Sequence, residues 1–435
     1  MAASKEQKEA FVTGHDGTTP WEILLICIAA PVGIMLFQIV PKSVPKWQKV
    51  VLEGLFLIFP IAVCQTTLLY PWGIVLLCLE GLSATIFSIA RKEKRATDQI
   101  SSTNFVSAYR STVMVLTFIA ILAVDFHVFP RRYAKTETQG YSLMDLGAGS
   151  FVMAAALVSS RARGKTRPDI FRTAKRMVPL LGLGLIRLLT TKGLEYQEHV
   201  SEYGVQWNFF FTLAVISPFA AIFPSGWLSP CILIGTYQYC LSNYNLQEFI
   251  ENAPRICLEG SPFSCSFIAA NREGILGVVG YLVIFLLGEQ IATKCIWTTQ
   301  GFDIGKNLYR VAALLWTVLA VLTQVLEIPV SRRSTNASFC AWSLAHNTLI
   351  LAFLSSVTET VPPIFEAVNR HGLLVFVVAN LLTGLTNLTI NTLEVSDARA
   401  LVVLVFYLCA VGCFSLLCDY IFLNKMPTVN HSKRD

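Results

Sequence analysis

Long apolar runs alternate with short polar segments from residue 21 to residue 423 of this 435-residue chain. A run near 20 residues, coiled as a helix, matches the hydrocarbon thickness of a bilayer. Such runs lie at 21–40, 51–69, 71–90, 108–129, 143–160, 177–191, 207–224, 227–243, 274–292, 309–328, 337–357, 372–393 and 399–423. The pattern predicts an all-α, polytopic membrane protein of about 13 transmembrane helices. The runs 143–160 and 177–191 are short for a full crossing. The expected organisation is an amino-terminal tail over 1–20, one transmembrane domain over 21–423 and a carboxy-terminal tail over 424–435.

Composition agrees with that pattern, since 54% of residues are hydrophobic and 14% charged, against roughly 25% charged in soluble domains. No basic stretch followed by a short apolar core and a cleavage site precedes the first run, which is expected to direct insertion itself. The 12 cysteines are scattered without a CxxC or Cys/His cluster, so neither zinc nor a redox motif is indicated. Cys257 and Cys265 share one loop and would pair only in an oxidising lumen.

An odd number of crossings puts the two termini on opposite faces. Sorted this way, the loops opposite the amino terminus carry about twice as many Lys and Arg, which places that face in the cytosol. The amino terminus and the stretch Lys192–Asn208 are then luminal. Two basic clusters, at 91–95 and 161–176, fall on the cytosolic face. They suit topology and anionic lipid. Arg161, Arg163 and Lys165 would alternatively form a landing place for an anionic cofactor. No nucleic-acid motif accompanies them.

Candidate chemistry gathers at the edges of the runs. In KGLEYQEHVSEYGVQWN, 192–208, helical spacing puts Glu195 four residues before His199 and Glu198 four before Glu202, with Tyr196 and Tyr203 flanking His199. A solvated amphipathic loop is the plainer reading. The fourth run ends in AVDFHVFPRRYAK, where Arg131, Arg132 and Lys135 form a cationic collar suited to a lipid phosphate, or else snorkel and pair with Asp125. In SLMDLGAGSFV, Asp145 occupies a first turn and Gly149 sits one turn on, which predicts open space beside the carboxylate. Arg187 is expected to reach a carboxylate of the following loop, and Asn271 to cap a helix, with Arg272 and Glu273 free for pairing or ligand contact. Thr18, Thr19 and Pro20 are placed to start the first helix, before an interfacial Trp21. Asn380, Gly384, Asn387 and Asn391 make one polar stripe. His346 reads as a packed, hydrogen-bonded residue. Asn336 opens a glycosylation sequon too near the membrane for efficient use.

The blocks AVDF, FPRRYAK, MDLGAGS, GLEYQEHVSEYGVQWNFF, ANREGILG, VSRR and VANLLTGLTNLTINTL occur in this order. Together they resemble the inositol acyltransferases of GPI-anchor biosynthesis, the PIG-W and Gwt1 family, and KEAFVTGHDGTT resembles that family's start. The resemblance implies a thirteen-span protein of the endoplasmic reticulum membrane, with a luminal amino terminus and a cytosolic carboxy terminus. It implies transfer of an acyl chain, usually palmitoyl, from acyl-CoA to the inositol of glucosaminyl-phosphatidylinositol. Acyl-CoA is then a co-substrate, no cofactor is bound permanently, and no metal or nucleic acid takes part. The sequence departs from the family at His127, where a Pro is expected, and at Gln206, where a His is expected. Essential chemistry is therefore placed elsewhere.

Acyl transfer to a hydroxyl needs a base, stabilisation of an oxyanion and alignment of the reactants. Asp145 is expected as the base or as the anchor of an inositol hydroxyl, with Glu195, His199 and Glu202 as competing acid/base groups. Arg131, Arg132 and Lys135 would hold phosphate. Asn208, Asn271, Arg272 and Glu273 would complete a hydrophilic wall, and Asn380 and Asn387 would close the cavity. A lipid or solute transporter is the competing class, against which stand the missing internal repeat and paired broken helices. A non-catalytic scaffold would leave the charged blocks without a purpose.

Overall fold

The computed structural model describes residues 10–91, 101–164, 169–193, 200–253, 263–299, 301 and 303–424. Each of the thirteen apolar runs forms a helix. In chain order the helices are α1 (Pro20–Phe37), α2 (Lys46–Cys64), α3 (Ile74–Arg91), α4 (Ser102–Ala123), α5 (Leu143–Leu157), α6 (Ile170–Gly193), α7 (Phe209–Ala220) and α8 (Leu228–Asn243). After two short helices, α9 (Leu246–Asn252) and α10 (Phe263–Ala270), come α11 (Arg272–Ile291), α12 (Asp303–Ala320), α13 (Ala337–Val357), the short α14 (Pro363–Arg370), α15 (Gly372–Thr389) and α16 (Asp397–Asn424). Among the described residues eight helices are long and apolar enough to cross a membrane by themselves: α1, α2, α4, α11, α12, α13, α15 and α16. Shorter apolar helices occur within α3 and at α5 and α7. Length and hydropathy thus support eight crossings directly, fewer than the thirteen expected.

Proline shapes two of these elements. A π-turn at Gly54–Ile58 stands directly before Phe59–Pro60, and a second, Leu69–Gly73, contains Pro71. The missing N–H of Pro60 breaks the i to i−4 ladder and the wider turn accommodates it, whereas Pro71 stands in a first turn, where its N–H would have no helical partner.

The contacts divide into two compact units. One comprises Met1–Ala2, Ala29–Phe129 and Val357–Asp435. Within it, α14 packs against α4 and α16, and α15 against α4. The buried carboxylate of Glu53 accepts from the backbone N–H groups of Ile364 at 2.7 Å and Phe365 at 2.9 Å. It thereby satisfies donors that the start of α14 would leave bare. Asn387 donates to Asp125 Oδ2 at 2.6 Å, so this member of the polar stripe packs α15 against the end of α4. The Asn380 amide turns back onto the Phe376 carbonyl of its own helix.

The second unit comprises Ala3–Ile28 and Pro130–Ser356. Its centre is α11, against which α5, α7 and α8 pack, while α7 also packs on α6. Small residues permit the close approaches, as in other membrane bundles. Gly280 of α11 lies against Thr335, where a Cβ would stand 2.1 Å from the Thr335 carbonyl oxygen.

Residues 11–19 are part of this unit. Thr18 N donates to Tyr141 O at 2.7 Å, and Glu137 N donates to His15 O at 3.1 Å. Gly17, at φ +83°, lies so close to this partner segment that a Cβ would meet Tyr141 O at 2.3 Å. The predicted helix start is present: Pro20 opens α1, and Thr19 Oγ1 accepts from Glu22 N at 3.2 Å. Trp21 stacks on Trp316, ring centroids 4.8 Å apart.

Candidate functional site

Ser142 begins the site. In extended conformation before α5, it accepts the Asp145 N–H on its hydroxyl at 3.1 Å and fixes the first turn. The Asp145 side chain is fully buried. Its Oδ2 accepts from Thr136 N at 3.0 Å and from Thr136 Oγ1 at 2.6 Å, and its Oδ1 lies 2.6 Å from Arg332 Nε. Arg332 Nη1 lies 3.9 Å from Glu202 Oε1, and Glu202 Oε2 accepts from Lys135 Nζ at 2.6 Å. Two carboxylates and two cations therefore alternate, Asp145, Arg332, Glu202, Lys135, drawn from segments far apart in the sequence.

The electrostatics of this chain favour the charged forms. Burial works to raise the Glu202 carboxyl, but Lys135 and Arg332, with Arg187 behind them, hold it at about 2. Arg187, expected to reach a carboxylate of the following loop, adds its positive charge to the field at Glu202. Burial opposes the Arg332 guanidinium, yet Asp145 and Glu202 more than offset it and raise its pKa. Burial raises the Tyr203 phenol well above its ordinary range, with Tyr281 and Glu202 adding to the effect. The Arg332 guanidinium lies 5.7 Å from the Tyr203 ring centre.

The loop that delivers Arg332 is itself pinned. Asn336 Oδ1 accepts from Phe339 N at 3.0 Å, and Asn336 Nδ2 donates to Pro329 O at 2.7 Å. With its side chain buried and its amide engaged, Asn336 is closed to glycosylation in the folded protein. Thr335 adopts φ +48°, a left-handed conformation unusual for a β-branched residue.

The space expected beside Asp145 is absent on the Gly149 side. A Cβ at Gly149 would stand 1.9 Å from Ser343 Oγ, because α13 lies directly against α5 there. Ser150 donates to Asn347 Oδ1 at 2.8 Å, and Asn347 Nδ2 donates to Ser343 O at 2.7 Å. Open space lies instead at Gly147, which has no atom within 4 Å of a built Cβ.

Each cation of the collar has a protein partner. Arg131 lies over the Phe11 ring at 4.0 Å, and Arg132 forks onto Glu22 through Nε and Nη2, at 3.1 and 2.9 Å from Oε1. Tyr133 donates to the same Glu22 oxygen at 2.7 Å, and Thr18 donates to Oε2. A phosphate here competes with Glu22 and Glu202.

Asn208 and the Asn271–Glu273 segment fix backbone around the network. Asn208 Oδ1 caps α7 by accepting from Phe210 N at 3.1 Å, and its Nδ2 donates to Gly184 O at 2.9 Å. Asn271 was expected to cap α11, but its side chain makes no cap bond there. Gly204, at φ +115°, turns the chain onto it, and Asn271 Oδ1 accepts from Gln206 N at 2.7 Å and Trp207 N at 2.9 Å. Gln206 Oε1 accepts from Asn271 Nδ2 at 2.6 Å and so joins the same clasp. Arg272 donates to Ile250 O at 2.8 Å, and Glu273 pairs with Arg333 at 3.1 Å.

The structure thus brings Asp145, Lys135 and Glu202 together, while Asn380 and Asn387 belong to the other unit. Glu195, His199 and Cys257 lie outside the described residues. Arg161 is no open landing place: it is held by the buried Glu289, by Nε at 2.7 Å and also by Nη2, and it donates to Phe223 O at 2.8 Å. Arg163 lies 5.3 Å from the Trp297 ring centre. Arg332 escaped the sequence reading as a site residue. The VSRR block was visible, but spacing alone does not reveal which carboxylate meets it. Tyr281 and Ser343, inside apolar runs, gave no signal.

His346 also differs from expectation. It is buried, and neither ring nitrogen has a hydrogen-bond partner among the described residues.

A family model described as GWT1 matches residues 4–418. The chain is 32% identical, over 97% of its length and 99% of the relative, to GPI-anchored wall transfer protein 1 of Aspergillus fumigatus. It is 34% identical, over 95% of its length and 96% of the relative, to the protein of the same name in Kluyveromyces lactis. An Arabidopsis thaliana protein described only as uncharacterized is 36% identical over 84% of this chain and 86% of its own.

Proposed function

The chain belongs to the GWT1 family, and on that premise we propose that it is an O-acyltransferase of GPI-anchor biosynthesis. It moves a fatty acyl chain, palmitoyl in the main, from acyl-CoA to an inositol hydroxyl of glucosaminyl-phosphatidylinositol, in the endoplasmic reticulum membrane. The amino terminus is luminal and the carboxy terminus cytosolic. The observation that carries this reading is the ion-pair chain Asp145–Arg332–Glu202–Lys135, buried at its Asp145–Arg332 end and part-exposed at Lys135, a preorganised set of charges at the ends of apolar helices.

Such a set suits acyl transfer because it binds a polar acceptor and meets developing negative charge without rearranging. Asp145, oriented by Arg332 and Thr136, accepts hydrogen bonds from inositol hydroxyls and so anchors the ring. Lys135 and Arg332 supply the positive field for the lipid phosphate and for the oxyanion formed at the thioester carbon. Glu202, held at about 2, is a poor proton acceptor at neutral pH. Its part is to keep both cations in place.

The test is direct. Purified protein is given palmitoyl-CoA and glucosaminyl-phosphatidylinositol, and the lipid product is challenged with phosphatidylinositol-specific phospholipase C. A resistant, acylated product is expected. Its absence with well-folded protein would favour a transporter or a scaffold.

A further inference from the structure

Acyl transfer needs a group that takes the hydroxyl proton, and the ion-paired carboxylates are poorly suited to it. His346 on α13 is a different kind of group: an imidazole 1% exposed, with both nitrogens unpartnered among the described residues. A polar group left so in a membrane bundle is costly, and it persists where it has work to do.

It does not stand alone. Trp342 Nε1 and Ser343 Oγ, one turn earlier on the same helix, are also buried without a hydrogen-bond partner among the described residues. The Trp342 and Tyr281 rings both pack edge-on against Phe339, each at 6.1 Å. The Phe209 ring ties this cluster to the ion-pair chain: it packs against Tyr281 at 5.9 Å and Tyr203 at 5.8 Å, and Tyr203 lies 5.7 Å from the Arg332 guanidinium.

Register fixes where His346 lies. Helices α5 and α13 both begin at the charged network, the first after Ser142 and the second after the Arg332 loop. They run side by side from there, with Gly149 against Ser343 and Ser150 bonded to Asn347. His346 is therefore one to two turns deeper in the bundle than Asp145.

We propose that His346 is a catalytic residue, the proton acceptor for the attacking inositol hydroxyl, with Trp342 and Ser343 as donors to the thioester carbonyl oxygen. The hydroxyl oxygen bonds to the thioester carbon as its proton passes to the free imidazole nitrogen. The carbon–sulfur bond then breaks, and the imidazolium returns that proton to the departing CoA sulfur. The products are the inositol ester and free CoA, with the imidazole neutral again.

This inference rests on the acyltransferase reading, and one experiment separates the two. Wild type, His346→Gln and His346→Leu are purified full length and assayed with palmitoyl-CoA and glucosaminyl-phosphatidylinositol. No hydrogen bond of the imidazole is lost in either variant, and neither is expected to melt below the wild type. The expected result is a kcat lower by about 10²–10⁴-fold in both, with KM for each substrate little changed. Wild-type turnover in either variant would overturn the role of His346 and leave the acyltransferase reading intact. No acylation by the wild type would instead remove the reading itself.

Discussion

Asp145 and Arg332 meet at 2.6 Å with both side chains almost sealed from solvent, although one opens α5 and the other stands just before α13. Such a pair stabilises only while both members are present. Removing one leaves a buried charge uncompensated, at a cost of about 3–5 kcal/mol. Arg332→Met is therefore expected to melt well below the wild type in detergent, and Arg332→Met with Asp145→Asn to recover part of the loss. Equal melting of the Arg332 single variant and the wild type would show that the pair carries no such energy. Asp145→Asn alone, where it folds, should form little acylated lipid.

The pH dependence of the Glu202 contacts has a definite sign. The carboxyl is depressed from 4.5 to about 2 in the folded protein, so its contribution is complete above 4.5 and is lost as pH falls toward 2. The difference in melting temperature between wild type and Glu202→Gln should be constant from pH 5 to 8 and shrink below about 4.5. A difference that instead shrank between pH 6 and 8 would contradict this assignment.

At Gly149 the contact with α13 leaves no room for a methyl group. Gly149→Ala should cost about 1–3 kcal/mol, since Ser343 and the helix carrying it must shift. Gly149→Ala with Ser343→Gly should regain much of that loss, whereas Gly147→Ala should be close to neutral. Thermal melts of the three variants compare these directly. An unperturbed Gly149→Ala would mean that α5 and α13 are not in contact there.

Arg161 makes a similar prediction at the far end of α5. Its charge is consumed by Glu289 and its geometry by the Phe223 carbonyl. Arg161→Glu should lower the yield and melting temperature of folded protein. Arg163→Glu, which loses only a ring contact, should fold normally. A stable Arg161→Glu protein with a raised KM for acyl-CoA would restore the landing-place role instead.

Much of the fold could be read from hydropathy because bilayer thickness sets the length of an apolar run. The run 337–357 coincides with α13. The run expected at 51–69 shifts to Lys46–Cys64, because the helix begins in an interfacial polar turn that hydropathy scores as loop. At the site, Asp145, Lys135 and Glu202 stood out, since charge at the edge of apolar sequence is rare and expensive. Arg332 did not, because pairing across a bundle leaves no mark on local spacing. Asn271 shows the same limit. An Asn before a helix suggests a cap, but Gly204 brings a distant loop close enough to take its amide oxygen.

Because Thr18 and Tyr141 are hydrogen-bonded, both lie on one side of the bilayer, and the chain between them must cross it an even number of times. Three helices long enough to cross, α1, α2 and α4, and the shorter apolar stretch of α3 occupy that interval. From Asp145 to Glu202 the chain makes two helices, α5 and α6. From Glu202 to Arg332 the principal apolar helices are α7, α8, α11 and α12, again an even number. Closure of the ion-pair chain therefore requires an even number of crossings between its members. Any insertion error that added or dropped one crossing between its members would strand Asp145, Glu202 and Arg332 on opposite faces, and the charges would have nothing to close upon.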